Sequence, residues 1–156
     1  MKHLTDIENI SKEDILNIIA TAREFKAGTK VSDVSTKTVA LMFYENSTRT
    51  RCSFEIAAQK LKMNIINFDT EHSSISKGES LKDTIENLYF LGVNAVVIRH
   101  SYSGLINNVM KSVKYPVSFV NGGDGTHAHP TQALLDFYTM LEKINLLYLQ
   151  RNMQLF

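Results

Sequence analysis

The sequence predicts an α/β fold: a parallel sheet of about four strands with helices on both faces. Three observations point there. Short apolar runs rich in Val, Ile and Phe alternate with stretches whose apolar residues recur at helical spacing. The alternation fits within 156 residues, the size of one ordinary domain. Hydrophobic residues make up 44% of the chain and charged ones 21%, which supplies a core and argues against disorder.

The elements follow in order. Ser11, with Asp14 three residues on, forms an acidic variant of the capping box. Ile15, Ile18, Ile19, Ala22 and Phe25 then keep helical spacing up to a stop at Gly28. Residues 38–44 (TVALMFY) read as a buried strand. A polar segment leads into a helix with Phe54, Ala57, Ala58 and Leu61 on one face, and residues 64–68 (NIINF) read as a second strand. Residues 70–80 are polar, contain Gly78 and read as an exposed loop. Leu81, Ile85, Leu88 and Tyr89 mark a helix that ends near Gly92, and 95–98 (AVVI) a third strand. Leu105, Ile106, Val109 and Val113 suggest another helix, and 117–120 a fourth strand. Gly122, Gly123 and Gly125 read as a loop, followed by a helix from about Pro130 to Ile144. The remaining residues, 145–156, either extend that helix or form a displaced tail.

Composition excludes several function classes. Seventeen basic residues against sixteen acidic leave a net charge of +1, so no global field steers the chain onto nucleic acid or an anionic membrane. A single cysteine forms no internal disulfide. The N-terminal stretch MKHLTDIENISKEDI carries acids where a signal peptide needs an apolar core, and no apolar run approaches a membrane span. A cytoplasmic location is expected.

In a parallel α/β sheet, ligands sit outside the carboxyl ends of the strands. Polar and cationic residues collect there: Glu45 to Arg51 after the first strand, Ser73 and Lys77 after the second, Arg99 and His100 after the third, and Asp124, His127, His129, Thr131 and Gln132 after the fourth. Ser47 to Arg51 lead from a strand into a helix, whose first N–H groups are unsatisfied and carry partial positive charge. That suits a phosphate, with hydroxyls and guanidiniums adding donors; it equally fits an ordinary cap with solvent-facing arginines. It is not a Walker loop. His129 opens a helix, where the dipole favours a neutral ring able to donate to a carbonyl oxygen. Gln132 offers donors and an acceptor for an amide-like group. His127 and His129 with Asp124 are a weak metal signal, lacking HExxH or a second His or Cys cluster, and Cys52 has no assignable base. No metal and no organic cofactor is expected.

These segments resemble a known family. Residues 43–51 (FYENSTRTR) with Ser53-Phe54-Glu55 resemble the carbamoyl-phosphate signature of the aspartate and ornithine carbamoyltransferases. Residues 73–80 (SSISKGES) with Asp83-Thr84 resemble the mobile loop of the aspartate enzyme, and 97–100 (VIRH) and 123–136 (GDG through HPTQALLD) match it too. The motifs occur in family order over about residues 1–143. Three of them favour the aspartate enzyme; the fourth is shared with the ornithine enzyme, which Cys52 resembles.

The resemblance implies transfer of a carbamoyl group from carbamoyl phosphate to the α-amine of L-aspartate, a step of pyrimidine synthesis. Carried across by motif, Ser47, Thr48, Arg49 and Thr50 hold the phosphate. Arg99 bridges phosphate and carbonyl oxygen; Thr50, Arg99 and His129 polarise that oxygen; and Gln132 binds the carbamoyl nitrogen. Ser73 and Lys77 reach a neighbouring subunit of a homotrimer with shared active sites, and Glu45 ties two domains together on closure. A regulatory chain is a further possible partner.

The family chain also has a second α/β domain that grips aspartate. The expectation here is a carbamoyl-phosphate-binding domain over residues 1–144, an atypical tail over 145–156, and no aspartate-binding domain, so that the chain alone is poorly active. Alternative readings are a non-catalytic or split-gene carbamoyl-phosphate-binding module and an ornithine carbamoyltransferase.

Overall fold

The computed structural model describes residues 2–29, 33–68 and 79–153, with residues 145–153 described as helix backbone. Its elements are α1 (Lys12–Lys26), β1 (Thr38–Phe43), α2 (Thr48–Lys60), β2 (Asn64–Phe68), α3 (Leu81–Phe90), β3 (Ala95–His100), α4 (Leu105–Ser112), β4 (Ser118–Asp124) and α5 (Pro130–Met153). The four strands form one parallel sheet in the order β2-β1-β3-β4. The α/β expectation holds, element by element.

Alternation along β1 splits the core between the two faces of the sheet. Ala40 and Met42 join Ile85, Leu88, Val96, Ile98, Ile106 and Phe119 beneath α3 and α4. Val39, Leu41 and Phe43 join Ala58 and Val97 on the α2 side. Burial on both faces explains why β1 and β3 read as continuous apolar runs rather than alternating ones.

Helix starts follow local chemistry. Ser11 accepts a hydrogen bond from the Asp14 amide at 3.0 Å, and Ser80 one from the Asp83 amide at 3.1 Å. In both pairs the hydroxyl also donates back to the aspartate, at 3.0 and 2.6 Å. At the other ends, Gly28 and Gly92 take positive φ just past α1 and α3, the left-handed turn that closes many helices.

Two expectations change, and one open alternative is decided. β4 does not stop at Val120; it runs through Asn121, Gly122 and Gly123 to Asp124. The glycines there allow close approach rather than marking a loop: a Cβ on Gly122 would lie 3.3 Å from the Ile98 carbonyl oxygen, and one on Gly123 would run into Arg99 Nη1. The N-terminal segment supports this extension, since Leu4 exchanges backbone hydrogen bonds with Phe119 and Asn121 at 2.8 Å each. Ala57, expected on the buried face of α2, is exposed and lines a cavity. And α5 continues unbroken past residue 144 to Met153, so the tail's first residues extend the helix.

The strand order fixes where a ligand can enter. From β1 the chain passes through α2 to β2 on one side, then through α3 back to β3 on the other. The connections therefore diverge at the carboxyl ends of β1 and β3, opening a crevice there.

Candidate functional site

The β1–β3 register brings the crevice residues together. Phe43 pairs with Arg99, and the Tyr44 amide donates to the Arg99 carbonyl at 2.9 Å. Arg99 thus leaves β3 level with the point where the chain leaves β1 for α2. His100 points elsewhere: its Nδ1 accepts from the Tyr102 amide at 3.0 Å, and its ring lies between those of Tyr44 and Tyr102. Burial holds the His100 ring below the ordinary imidazole pKa, against the opposing pull of Glu45.

A cavity of about 700 Å³ opens at this switch point, lined by Ser47, Arg49, Thr50, Arg99, His129 and Gln132 together with apolar side chains. Six of the residues singled out in the sequence therefore converge on one space, from α2, β3 and α5. Thr48 sits in the first turn of α2, exposed and outside the lining. Ser73 and Lys77 lie outside the described residues.

The start of α2 differs from the starts of α1 and α3. Ser47 has φ −148° and ψ 82° and makes no side-chain cap hydrogen bond, and no acidic residue stands in the first turn. The first helical bond runs from the Arg51 amide to the Ser47 carbonyl at 3.0 Å. The ordinary serine cap seen at Ser11 and Ser80 is therefore not formed here, and the amides of this turn keep their partial positive charge beside Arg49.

Arg99 is held from two sides. Its Nη1 donates to the Gly122 carbonyl at 2.9 Å, and its Nε lies 3.3 Å from Glu45 Oε2. The second contact is a charge pairing without hydrogen-bond geometry, since Nε is buried and has no hydrogen-bond partner. Glu45 therefore lies on the guanidinium at the edge of the crevice.

His129 has its carbonyl bonded to the Ala133 amide at 3.1 Å, so the residue stands at the start of α5. Burial, and then the neighbouring Arg99 charge, hold its pKa below the ordinary imidazole value. Both causes favour the neutral ring, the same direction in which the start of a helix acts. Nδ1 lies 3.3 Å from the Thr131 hydroxyl. When that hydroxyl donates, the ring proton sits on Nε2, available as a neutral donor.

Gln132 Nε2 donates to Asp136 Oδ1 at 2.9 Å, which orients the amide and leaves its oxygen to accept. Sequence reasoning missed the apolar floor: Phe54, Ala57 and Leu135 line the cavity beside Thr131. The spacing of Thr50, Phe54 and Ala57 along one face of α2 was a signal for it, but such spacing equally describes a core face. Among the described residues, no cluster of three or more His, Cys, Asp or Glu side chains is arranged to hold a metal ion.

Comparison with known proteins gives the family. Residues 2–142 match the family model described as aspartate/ornithine carbamoyltransferase, carbamoyl-P binding domain. Aspartate carbamoyltransferase catalytic subunits from Legionella pneumophila and Paenarthrobacter aurescens are 44% and 47% identical over 92% and 90% of this chain, and over 48% and 43% of their own lengths. Among solved structures, the catalytic subunit of M. jannaschii aspartate transcarbamoylase superposes with a TM-score of 0.80 at 38% identity, covering 93% of this chain and 48% of that one. Aspartate transcarbamoylase from Trypanosoma cruzi in complex with carbamoyl phosphate and aspartate gives 0.77 at 36%, covering 89% and 44%. The chain spans about half the length of the curated relatives it matches. A match over most of the chain to one domain model, on a sheet whose switch point carries the family's motifs, means that this chain belongs to the aspartate/ornithine carbamoyltransferase family, in its carbamoyl-phosphate-binding domain.

Proposed function

We propose that this chain provides the carbamoyl-phosphate half of an aspartate carbamoyltransferase, which joins the carbamoyl group to the α-amine of L-aspartate and releases phosphate. One cavity lined by Arg49, Arg99 and a neutral His129 carries this reading. Carbamoyl phosphate is a small dianion with a reactive carbonyl, and it needs cationic and N–H donors at one end and a neutral donor at the other.

In this reading the uncapped start of α2, with Ser47, Thr48, Arg49 and Thr50, receives the phosphate. Arg99 reaches between phosphate and carbonyl oxygen. Thr50, Arg99 and His129 donate to that oxygen, and Gln132 accepts from the carbamoyl N–H. Attack by the aspartate amine forms a C–N bond and moves the carbonyl electrons onto oxygen. Arg99 and His129 hold this oxyanion better than the planar carbonyl. Collapse re-forms the carbonyl and breaks the bond to the phosphate oxygen. The departing phosphate takes the amine proton, so no protein base is required.

The amino-acid substrate is gripped by groups outside this domain. Glu45, now lying on Arg99, is freed for a partner when the crevice closes, and Ser73 and Lys77 reach the site of a neighbouring subunit in a homotrimer. A cytoplasmic location belongs to this reading; among the described residues no helix is long and apolar enough to cross a membrane.

The test is product formation from carbamoyl phosphate with aspartate or with ornithine, beside calorimetry with phosphonoacetamide, in which a methylene replaces the bridging oxygen. Carbamoyl aspartate as product supports the reading. Carbamoyl ornithine would move the chain to the other subtype. Phosphonoacetamide binding without turnover still fits a carbamoyl-phosphate half, because the amino-acid substrate is gripped by groups outside this domain, and no binding at all would refute the site.

A further inference from the structure

Asp124 ends β4 and is 1% exposed. Its carboxylate accepts hydrogen bonds from the Gly104 amide and Asn121 Nδ2 at 2.9 Å each, and from the Ala128 amide at 3.1 Å. The backbone closes round it, with the Asp124 amide donating to the Ala128 carbonyl at 3.1 Å and the His127 amide to the Asp124 carbonyl at 3.0 Å. The turn from 124 to 128 is therefore wrapped about one side chain, and it delivers the next residue, His129, to the cavity.

A buried carboxylate needs compensating positive charge. His127 Nδ1 lies 3.1 Å from both Asp124 oxygens, and its Nε2 lies 3.3 Å from Asp6 Oδ2. Asp6 belongs to the N-terminal segment that also holds Asn121, whose Nδ2 donates to the Thr5 carbonyl at 2.9 Å. Asn121 Oδ1 in turn accepts from the Gly123 amide at 2.7 Å, and Gly123 lies against Arg99 and His129. One connected set thus runs from the N-terminal segment to both cavity groups.

We propose that Asp124 and His127 are positioning residues for His129: the carboxylate shapes the turn that presents the imidazole, and His127, braced by Asp6, is its counter-charge. The proposal rests on His129 acting at the carbonyl end of the substrate. The charged groups facing His127 are Asp124 from β4 and Asp6 and Glu8 from the N-terminal segment, and together they raise its pKa above the ordinary value. Its folded pKa is raised, so the clasp is complete below pH about 6.5 and weakens as pH climbs through the raised value.

The experiment follows the His129 ring by long-range proton–nitrogen NMR titration, assigned with His129→Gln, in the wild type, His127→Ala and Asp6→Asn. In parallel, calorimetry compares phosphonoacetamide with inorganic phosphate. In the wild type His129 should titrate below 6.5. In His127→Ala its midpoint should move back toward that value, and phosphonoacetamide affinity should fall by about 2- to 10-fold, the loss of one hydrogen bond. Phosphate affinity should stay within about twofold, because the α2 end is untouched. A merely structural role would lower both ligands equally. If His127→Ala does not fold, Asp6→Asn, which removes only the outer carboxylate, is read the same way with smaller shifts. A folded variant whose His129 titration or ligand ratio matches the wild type overturns the proposal. If the wild type binds neither ligand, the functional reading fails and the NMR arm alone decides the positioning.

Discussion

Gly123→Ala is the sharpest single perturbation of the crevice. Gly123 has φ +119°, where an L side chain is strained, and the added Cβ would run into Arg99 Nη1 and come within 3.2 Å of its Cζ and 3.6 Å of His129 Cδ2. Two costs therefore combine. The backbone strain is about 1–3 kcal/mol. The guanidinium must also move, which threatens its 2.9 Å bond to the Gly122 carbonyl, a hydrogen bond to a charged group of about 1.5–3 kcal/mol. At about 2–4 °C per kcal/mol for a chain of this size, the melting temperature should drop by roughly 5–25 °C. Displacing Arg99 should also weaken phosphonoacetamide by about 10-fold or more, because a charge-assisted contact is lost. Gly28→Ala is the control. Gly28 also has positive φ, +80°, but a Cβ there meets nothing within 4 Å. It should lose about 1 kcal/mol of stability through strain and leave binding unchanged. Differential scanning calorimetry and titration calorimetry on the two variants separate strain from collision. If Gly123→Ala binds phosphonoacetamide as the wild type does, Arg99 is not placed as described, and the assignment of the crevice fails.

Other outcomes follow from the same geometry. Arg49→Ala should lose most phosphonate affinity, and unchanged binding by calorimetry would remove Arg49 from the phosphate site. Ser11→Ala should cost about 1 kcal/mol in urea unfolding because its cap bond is lost, whereas Ser47→Ala, with no cap bond to lose, should cost little stability and yet weaken phosphate. His129→Ala, tested in an enzyme that turns over, should lower kcat more than it raises KM, since the ring acts on charge that develops in the transition state; a normal kcat would exclude it. His129 has a folded pKa below its unfolded value, so it is neutral in the native state above about pH 6.5 and opposes folding as pH falls through that window. His129→Gln should therefore flatten the loss of stability below pH 6.5, which urea midpoints at pH 5.5 and 7.5 measure.

Much of the architecture was legible because local chemistry and periodicity agree. Ser11 with Asp14 predicts a capped helix and finds one; the apolar run from Thr38 predicts a strand buried on both sides and finds one. The misreadings came where tertiary contact overrides local preference. Gly122 and Gly123 look like loop residues, yet they lie in β4, where a Cβ on Gly122 would press on the Ile98 carbonyl and Gly123 takes a positive φ against the Arg99 guanidinium. Ala57 shares its helical face with the buried Ala58, yet it is exposed and lines the cavity.

The sequence by itself determined the strand and helix order, the end of the sheet at which polar groups gather, and the motifs that mark the family. These depend on residues near in the chain, through spacing and capping. Only the tertiary structure decided that β1 and β3 are neighbours, which sets Arg99 beside the start of α2, and that Asp6 meets His127 across more than a hundred residues of chain. It also decided what lowers the His129 pKa. Burial and the field of Arg99 act through space, and no local pattern of residues encodes the distance between them.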